Sequence, residues 1–143
     1  MDEDPRLLRI AALYETLTPA RLADLDSIYT ADARFKDPFN EVQGVAAIRR
    51  IFEHMYATLD EPRFAVHERM AQGDQCFLTW DFIFRLRSGR RDELVVRGSS
   101  HLRLAADGRI TMHRDYWDVA EELYEKLPVL GALMRWLRRR LKA

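Results

Sequence analysis

The sequence predicts an α+β domain in which helices close one face of a curved antiparallel sheet over an apolar, acid-lined hollow. Three observations carry this reading. Apolar residues recur at helical spacing up to Pro62, the period changes to two from Arg63 onward, and helical spacing returns in a basic tail. The chain has 143 residues and shows no repeat, low-complexity tract or Gly/Ser/Pro-rich linker, so one domain is expected, with a core over about 5–125 and a tail helix over 128–142.

Pro5 suits the first turn of a helix, and Leu7, Leu8, Ala11, Ala12 and Tyr14 follow at helical spacing. Thr18 and Pro19 read as an N-cap and first-turn pair for a second helix with Leu22, Leu25, Ile28 and Tyr29 on its apolar face. Ala33 to Lys36 is a short strand, and Asp37-Pro38-Phe39-Asn40 a turn, because Pro38 pushes its predecessor out of helical geometry. Gly44 opens a third helix that Pro62 ends, with Ile48, Ile51, Phe52, Met55 and Leu59 on one face.

A four-stranded meander follows. Phe64 to Ala71 and Gln75 to Arg87 are joined by Gln72-Gly73-Asp74, and Ser88-Gly89-Arg90 turns the chain into a strand from Asp92 to Leu104. Gly98 within that strand signals a bulge or bend. Asp107-Gly108 is a hairpin signal leading to a strand from Arg109 to Asp118. Val119 to Leu127 is helical, Pro128 and Gly131 break it, and Leu133 to Lys142 forms the last helix.

Lys plus Arg and Asp plus Glu each number 23, so no overall field draws nucleic acid, and no nucleic-acid partner is expected. The single Cys76 excludes an internal disulfide and a multi-cysteine metal site, and fits a reducing cytoplasm. Met1 to Asp4 is acidic and polar, unlike a signal peptide.

Candidate chemistry gathers at few residues. Asp37 lies between Phe35 and Phe39, where aromatic neighbours would disfavour the carboxylate and make it a useful proton acceptor; an aspartate before proline equally serves a turn. In the last strand, alternation puts Thr111, His113, Asp115 and Trp117 on one face, and Ile110, Met112, Arg114 and Tyr116 on the other. His113 and Asp115, roughly 7 Å apart for a two-residue step, can share a hydrogen bond, either as a structural pair or as an acid/base couple. Tyr14 offers a hydroxyl to a ligand oxygen or simply packs in the core. His54, His67 and His101 have no metal-ligand spacing, and phosphate-loop, nucleophile-elbow and His-Glu-x-x-His motifs are absent.

The stretch Tyr29-Thr-Ala-Asp-Ala-Arg-Phe-Lys-Asp-Pro-Phe39, then Gly44-Val-Ala-Ala-Ile-Arg-Arg-Ile-Phe52, Asp107-Gly-Arg-Ile110 and Tyr116-Trp117, resembles the nuclear transport factor 2-like superfamily, in particular its ketosteroid isomerase and SnoaL-like polyketide cyclase branches. The resemblance spans about residues 5–125. It implies Asp37 as general base and Tyr14 as oxyanion donor, although one residue fewer separates Tyr14 from the Asp-Pro pair. Where the isomerases carry a second, acidic donor this chain has Ser100, a weaker one. His113 and Asp115 fall at positions largely apolar in the isomerases, so the wall looks more like that of the cyclases and epoxide hydrolases. The Arg-Asp pairing of the latter has no clear counterpart here.

Two readings follow. One is a cofactor-free, metal-free enzyme of isomerase, cyclase or hydrolase type, in which Asp37, Tyr14, His113, Asp115 and Ser100 act on a hydrophobic small molecule held by Trp80, Phe82, Phe84, Trp117, Phe52 and Met55. The other is a non-catalytic container of the same fold. The outer sheet face, with Asp81, Ile83, Arg85, Val95, Arg97 and Arg103, suits a homodimer, which the superfamily commonly forms. The tail has Leu133, Leu137 and Leu141 on one side with Trp136 nearby; it is expected to cover the domain, ahead of lying on a membrane surface.

Overall fold

The computed structural model describes residues 3–89, 92–123 and 128–142. Helix α1 (Pro5–Glu15) starts where Asp4 accepts a hydrogen bond from the Arg6 N–H at 2.9 Å and Pro5 supplies the first turn. It buries Leu7, Ile10, Ala11, Leu13 and Tyr14. Pro19–Ser27 is a 3₁₀ helix rather than the α-helix expected, and the Thr18 side chain makes no capping bond. Its polar residues compete with the backbone ladder: the Ser27 hydroxyl donates to the Asp24 carbonyl at 2.6 Å. The turn ends early enough to release Tyr29, expected on a helix, into strand β1 (Tyr29–Lys36).

Strand β2 (Glu41–Gln43) folds back on β1 across the predicted turn, pairing Phe35 with Val42. Gly44, at φ +99°, donates its N–H to the Ala33 carbonyl at 2.7 Å and lets the chain leave the sheet into α2 (Val45–Thr58). The helix stops four residues before Pro62. Strand β3 (Leu59–Gln72) begins earlier than expected and runs through the proline. Pro62 falls in the register gap between Asp60 and Arg63, where a missing N–H breaks no ladder bond.

Strands β4 (Gln75–Leu86), β5 (Leu94–Leu104) and β6 (Ile110–Tyr116) complete a six-stranded, curved and unclosed sheet in the order β2-β1-β6-β5-β4-β3. The expected four-stranded meander is present, and β1 extends it by pairing parallel to β6. A register shift opposite Arg103 and Leu104 puts Thr111 outside the ladder. Strict alternation therefore fails in β6, and Ile110 and His113 both enter the core. Helix α3 (Val119–Glu122) is capped by Asp118 and pinned to β5, where Glu122 accepts from the Arg97 backbone N–H at 2.8 Å and from its Nε at 2.6 Å. Arg90 of the predicted turn and residues 124–127 of the predicted helix lie outside the described residues. Helix α4 (Pro128–Leu141) starts at Pro128 and continues through Gly131, which breaks nothing. Among the described residues no helix is long and apolar enough to cross a membrane.

The core lies between α1, the 3₁₀ helix and α2 on one side and the inner sheet face on the other, with Ile10, Leu25, Ile28, Ile48, Leu102 and Ile110 at its centre. Burying each such side chain contributes about 1.5–3 kcal/mol. Gly98 is not a bulge: it pairs in register with Trp80, and a Cβ there would lie 2.4 Å from the Trp80 indole. The missing side chain is the space the ring occupies. Gly98→Ala is expected to destabilise the protein by about 1–3 kcal/mol, as overpacking does, measured by denaturant unfolding with Trp fluorescence; an unchanged midpoint would mean the ring has room to move.

Candidate functional site

A chain of buried polar side chains crosses the inner face of the sheet. Strand register assembles it: Ser100 on β5 pairs directly with Asp115 on β6, and Phe35 on β1 pairs with His113. The Trp80 indole N–H, reaching over Gly98, donates to Ser100 Oγ at 2.9 Å. Ser100 donates to Asp115 Oδ1 at 2.5 Å, and His113 Nε2 lies 2.5 Å from the same oxygen. On its other side, His113 Nδ1 lies 2.6 Å from the Tyr29 hydroxyl and 3.1 Å from that of Tyr14, and the two hydroxyls touch each other.

The chain admits an assignment of protons that satisfies every donor. Tyr14 donates to Tyr29, Tyr29 to Nδ1 of a neutral imidazole, and Nε2–H to Asp115. All donors then point toward one carboxylate. Burial pushes both phenols well above their ordinary value of 10.0, so they stay protonated. Phe35 holds the imidazole by an edge contact at 4.7 Å, and His113 is only 4% exposed.

Asp115, 17% exposed, is where this chain meets an apolar hollow of about 420 Å³. Phe52, Met55, Trp80, Phe82, Phe84 and Trp117, selected from sequence, all line it. Phe64 adds a ring stacked on Phe82 at 4.8 Å. A smaller cavity of about 30 Å³, enough for a water molecule, lies between Tyr14, Ser100, His113 and Asp115 and shares the walls Phe52, Phe64 and Trp80. Asp115 Oδ2 accepts no hydrogen bond among the described residues.

Asp37 also lines the large hollow, but its hydrogen bonds stay in its own turn. Its Oδ1 accepts from the Phe39 N–H at 2.8 Å and the Asn40 N–H at 2.6 Å, and Asn40 Nδ2 reaches both oxygens at 3.2 Å. This turn sets Phe39 edge-on against Trp117 with centroids 5.7 Å apart. Tyr14, Ser100, His113 and Asp115 are thus brought together, while Asp37 makes no hydrogen bond to them. Tyr29 joins the site although sequence reasoning put it on a helix; the two-residue step from Phe35 back through Ala33 was the available signal. Among the described residues, no group of three His, Cys, Asp or Glu side chains could hold a metal ion.

The SnoaL-like domain family model matches residues 10–113, and the chain belongs to that family. Solved structures agree at the level of the fold. A protein with a ketosteroid isomerase-like fold from Catenulispora acidiphila, solved with trimethylamine, is 18% identical with a TM-score of 0.71 over 85% of this chain and 92% of its own. An NTF2-like protein of unknown function from Burkholderia pseudomallei is 17% identical, TM-score 0.72, covering 83% and 95%. An LEH-like epoxide hydrolase from M. tuberculosis is 15% identical, TM-score 0.68, covering 96% of both chains. None of the curated proteins matches the sequence.

The buried phenols imply a pH dependence. Their folded-state pKa values lie above the unfolded value of 10.0, so their contribution to stability is complete below pH 10 and falls as pH rises beyond it, when the unfolded chain ionises first. Each loses about 1.4 kcal/mol per pH unit above that point. Tyr29→Phe should therefore lie closer to wild type in unfolding free energy at about pH 11 than at about pH 9. Parallel pH profiles would show that the Tyr29 phenol ionises freely.

Proposed function

We propose that the hollow binds a neutral, apolar carbonyl-type small molecule and that the protein performs cofactor-free proton transfer on it, as an isomerase or cyclase would, with Asp115 as the proton acceptor. The observation that carries this is the state of that carboxylate: Asp115 lines the hollow, its Oδ1 is held by two donors, and its Oδ2 has none among the described residues. A carboxylate so oriented can take a proton from the carbon next to a carbonyl while the electron pair moves to the carbonyl oxygen. No Lys or Arg lines the hollow among the described residues, which disfavours carboxylate or phosphate ligands. Tyr14 and Ser100 donate within the polar chain, so their role in this reading is to orient His113 and Asp115. His54 and Asn40, the latter also bonded to Asp37, are on the lining and are the side chains this reading assigns to a substrate oxygen. Asp37 positions Phe39 at the rim.

The test needs no known substrate. Wild-type protein is incubated in D2O with a panel of polycyclic ketones and enones, and α-proton exchange is followed by NMR. Asp115→Asn should slow exchange about 10²–10⁴-fold, the usual contribution of a general base, with ligand affinity, read by Trp fluorescence, little changed. Asp37→Asn should alter affinity more than exchange; the reverse pattern would return the role of base to Asp37.

A non-catalytic container is the second reading, favoured by the fact that the polar chain satisfies its own donors and needs no ligand for its stability. Binding without any exchange above that of the free ketone would select it.

The outer sheet face supports a proposed homodimer. Asp81 pairs with Arg97 and Ile83 with Val95 there, and Phe77, stacked on His101 at 4.6 Å, is exposed. Sedimentation of wild type as a dimer at micromolar concentration, and of Phe77→Glu as a monomer, is expected; a wild-type monomer would remove this assembly.

A further inference from the structure

The expected stripe of α4, Leu133, Leu137 and Leu141 with Trp136, is exposed rather than packed on the domain. Leu133, Trp136, Leu137 and Leu141 are 50%, 46%, 37% and 83% exposed, and of its residues with described side chains only Gly131 is buried. The three leucines follow at intervals of four, with Trp136 one turn from Leu133, so they form one stripe. Arg140 lies over the Trp136 ring at 5.2 Å, a cation on the edge of the apolar stripe rather than opposite it. The family match ends at residue 113, well before this helix.

Charge is segregated with it. From Pro128 to Ala143 there are five cations, Arg135, Arg138, Arg139, Arg140 and Lys142, and no acidic residue. Taking these five from the chain's 23 leaves 18 against 23 acidic residues, a net charge of −5 for residues 1–127. A polyanionic partner would attract the tail and repel the body.

We propose that α4 is an interfacial anchor that lays its leucine stripe and Trp136 into the surface of an anionic lipid bilayer, with its arginines at the headgroups. At 14 residues, about 21 Å of helix, it is too short to span and must lie in the plane. Nucleic acid would neutralise the cations but leave the stripe uncovered. Pairing with α4 of a second copy would cover the stripe but set five cations against five. Of these three, an anionic lipid surface answers both features, and the acidic body then stays off the membrane.

The experiment is cosedimentation of the full chain with vesicles of phosphatidylcholine alone and with about one-third phosphatidylglycerol, a composition chosen to give a strongly negative surface. Partitioning at least tenfold stronger onto the anionic vesicles, and weakened in about 0.5 M salt, is expected. Leu137→Glu with Leu141→Glu, and separately Arg139→Glu with Lys142→Glu, should each reduce binding at least tenfold while thermal unfolding stays unchanged, since all four side chains are exposed. Absence of binding to anionic vesicles, equal binding to both compositions, or full binding by the leucine variant overturns the proposal. So does a concentration-dependent dimer that the leucine variant abolishes in the absence of vesicle binding, which would give the stripe to a second copy.

Discussion

The structure turns on how a negative charge is accommodated inside an apolar sheet. Asp115 lies on the inner face of β6, where an isolated carboxylate would be expelled or neutralised. Hydrogen bonds from Ser100 and His113 hold one of its oxygens, and Trp80, Tyr29 and Tyr14 in turn hold those donors. Five elements contribute to this arrangement: α1, β1, β4, β5 and β6. Moving any of them by one residue would leave a buried donor or acceptor unpaired, so the polar chain specifies strand register as well as local charge.

Irregularities in the sheet make that arrangement possible. The shift at Thr111 lets Ile110 complete the core while His113 and Asp115 still face inward. The shift around Glu61 and Pro62 bends β3 away from its regular ladder. Gly98 yields its volume to Trp80, which both packs the aromatic wall and reaches Ser100. Packing, curvature and polar satisfaction are therefore coupled at a few positions, and the hollow exists because the helices cannot follow a sheet that curves away from them.

Two carboxylates face the hollow with different partners. Asp37 is bound by the N–H groups of its own turn, as its position before Pro38 suggests, and this bonding places Phe39 and Trp117 together at the rim. Asp115 is bound on one side only. The tail has a separate logic: its leucine stripe and Trp136 are exposed to solvent.

Much of this was legible in the sequence. Periodicity located α1, α2 and β3 to β6, the Asp37–Asn40 turn followed from Pro38, and of six residues that line the hollow Trp80, Phe82 and Phe84 followed from one phase of β4, Trp117 from the phase of the last strand, and Phe52 and Met55 from the apolar face of α2. The His113–Asp115 couple followed from alternation, because two residues two apart on a strand share a face whatever the fold. The bonding of Tyr29 to His113 and the exposure of the tail stripe were not read from the sequence. Local sequence determined which residues can form each element, since propensity and period act within a few residues. Only the tertiary structure decided which strand lies beside which, where the ladder slips, and hence that Tyr14, Tyr29, Ser100 and His113 converge on Asp115, because those contacts join residues up to 99 positions apart.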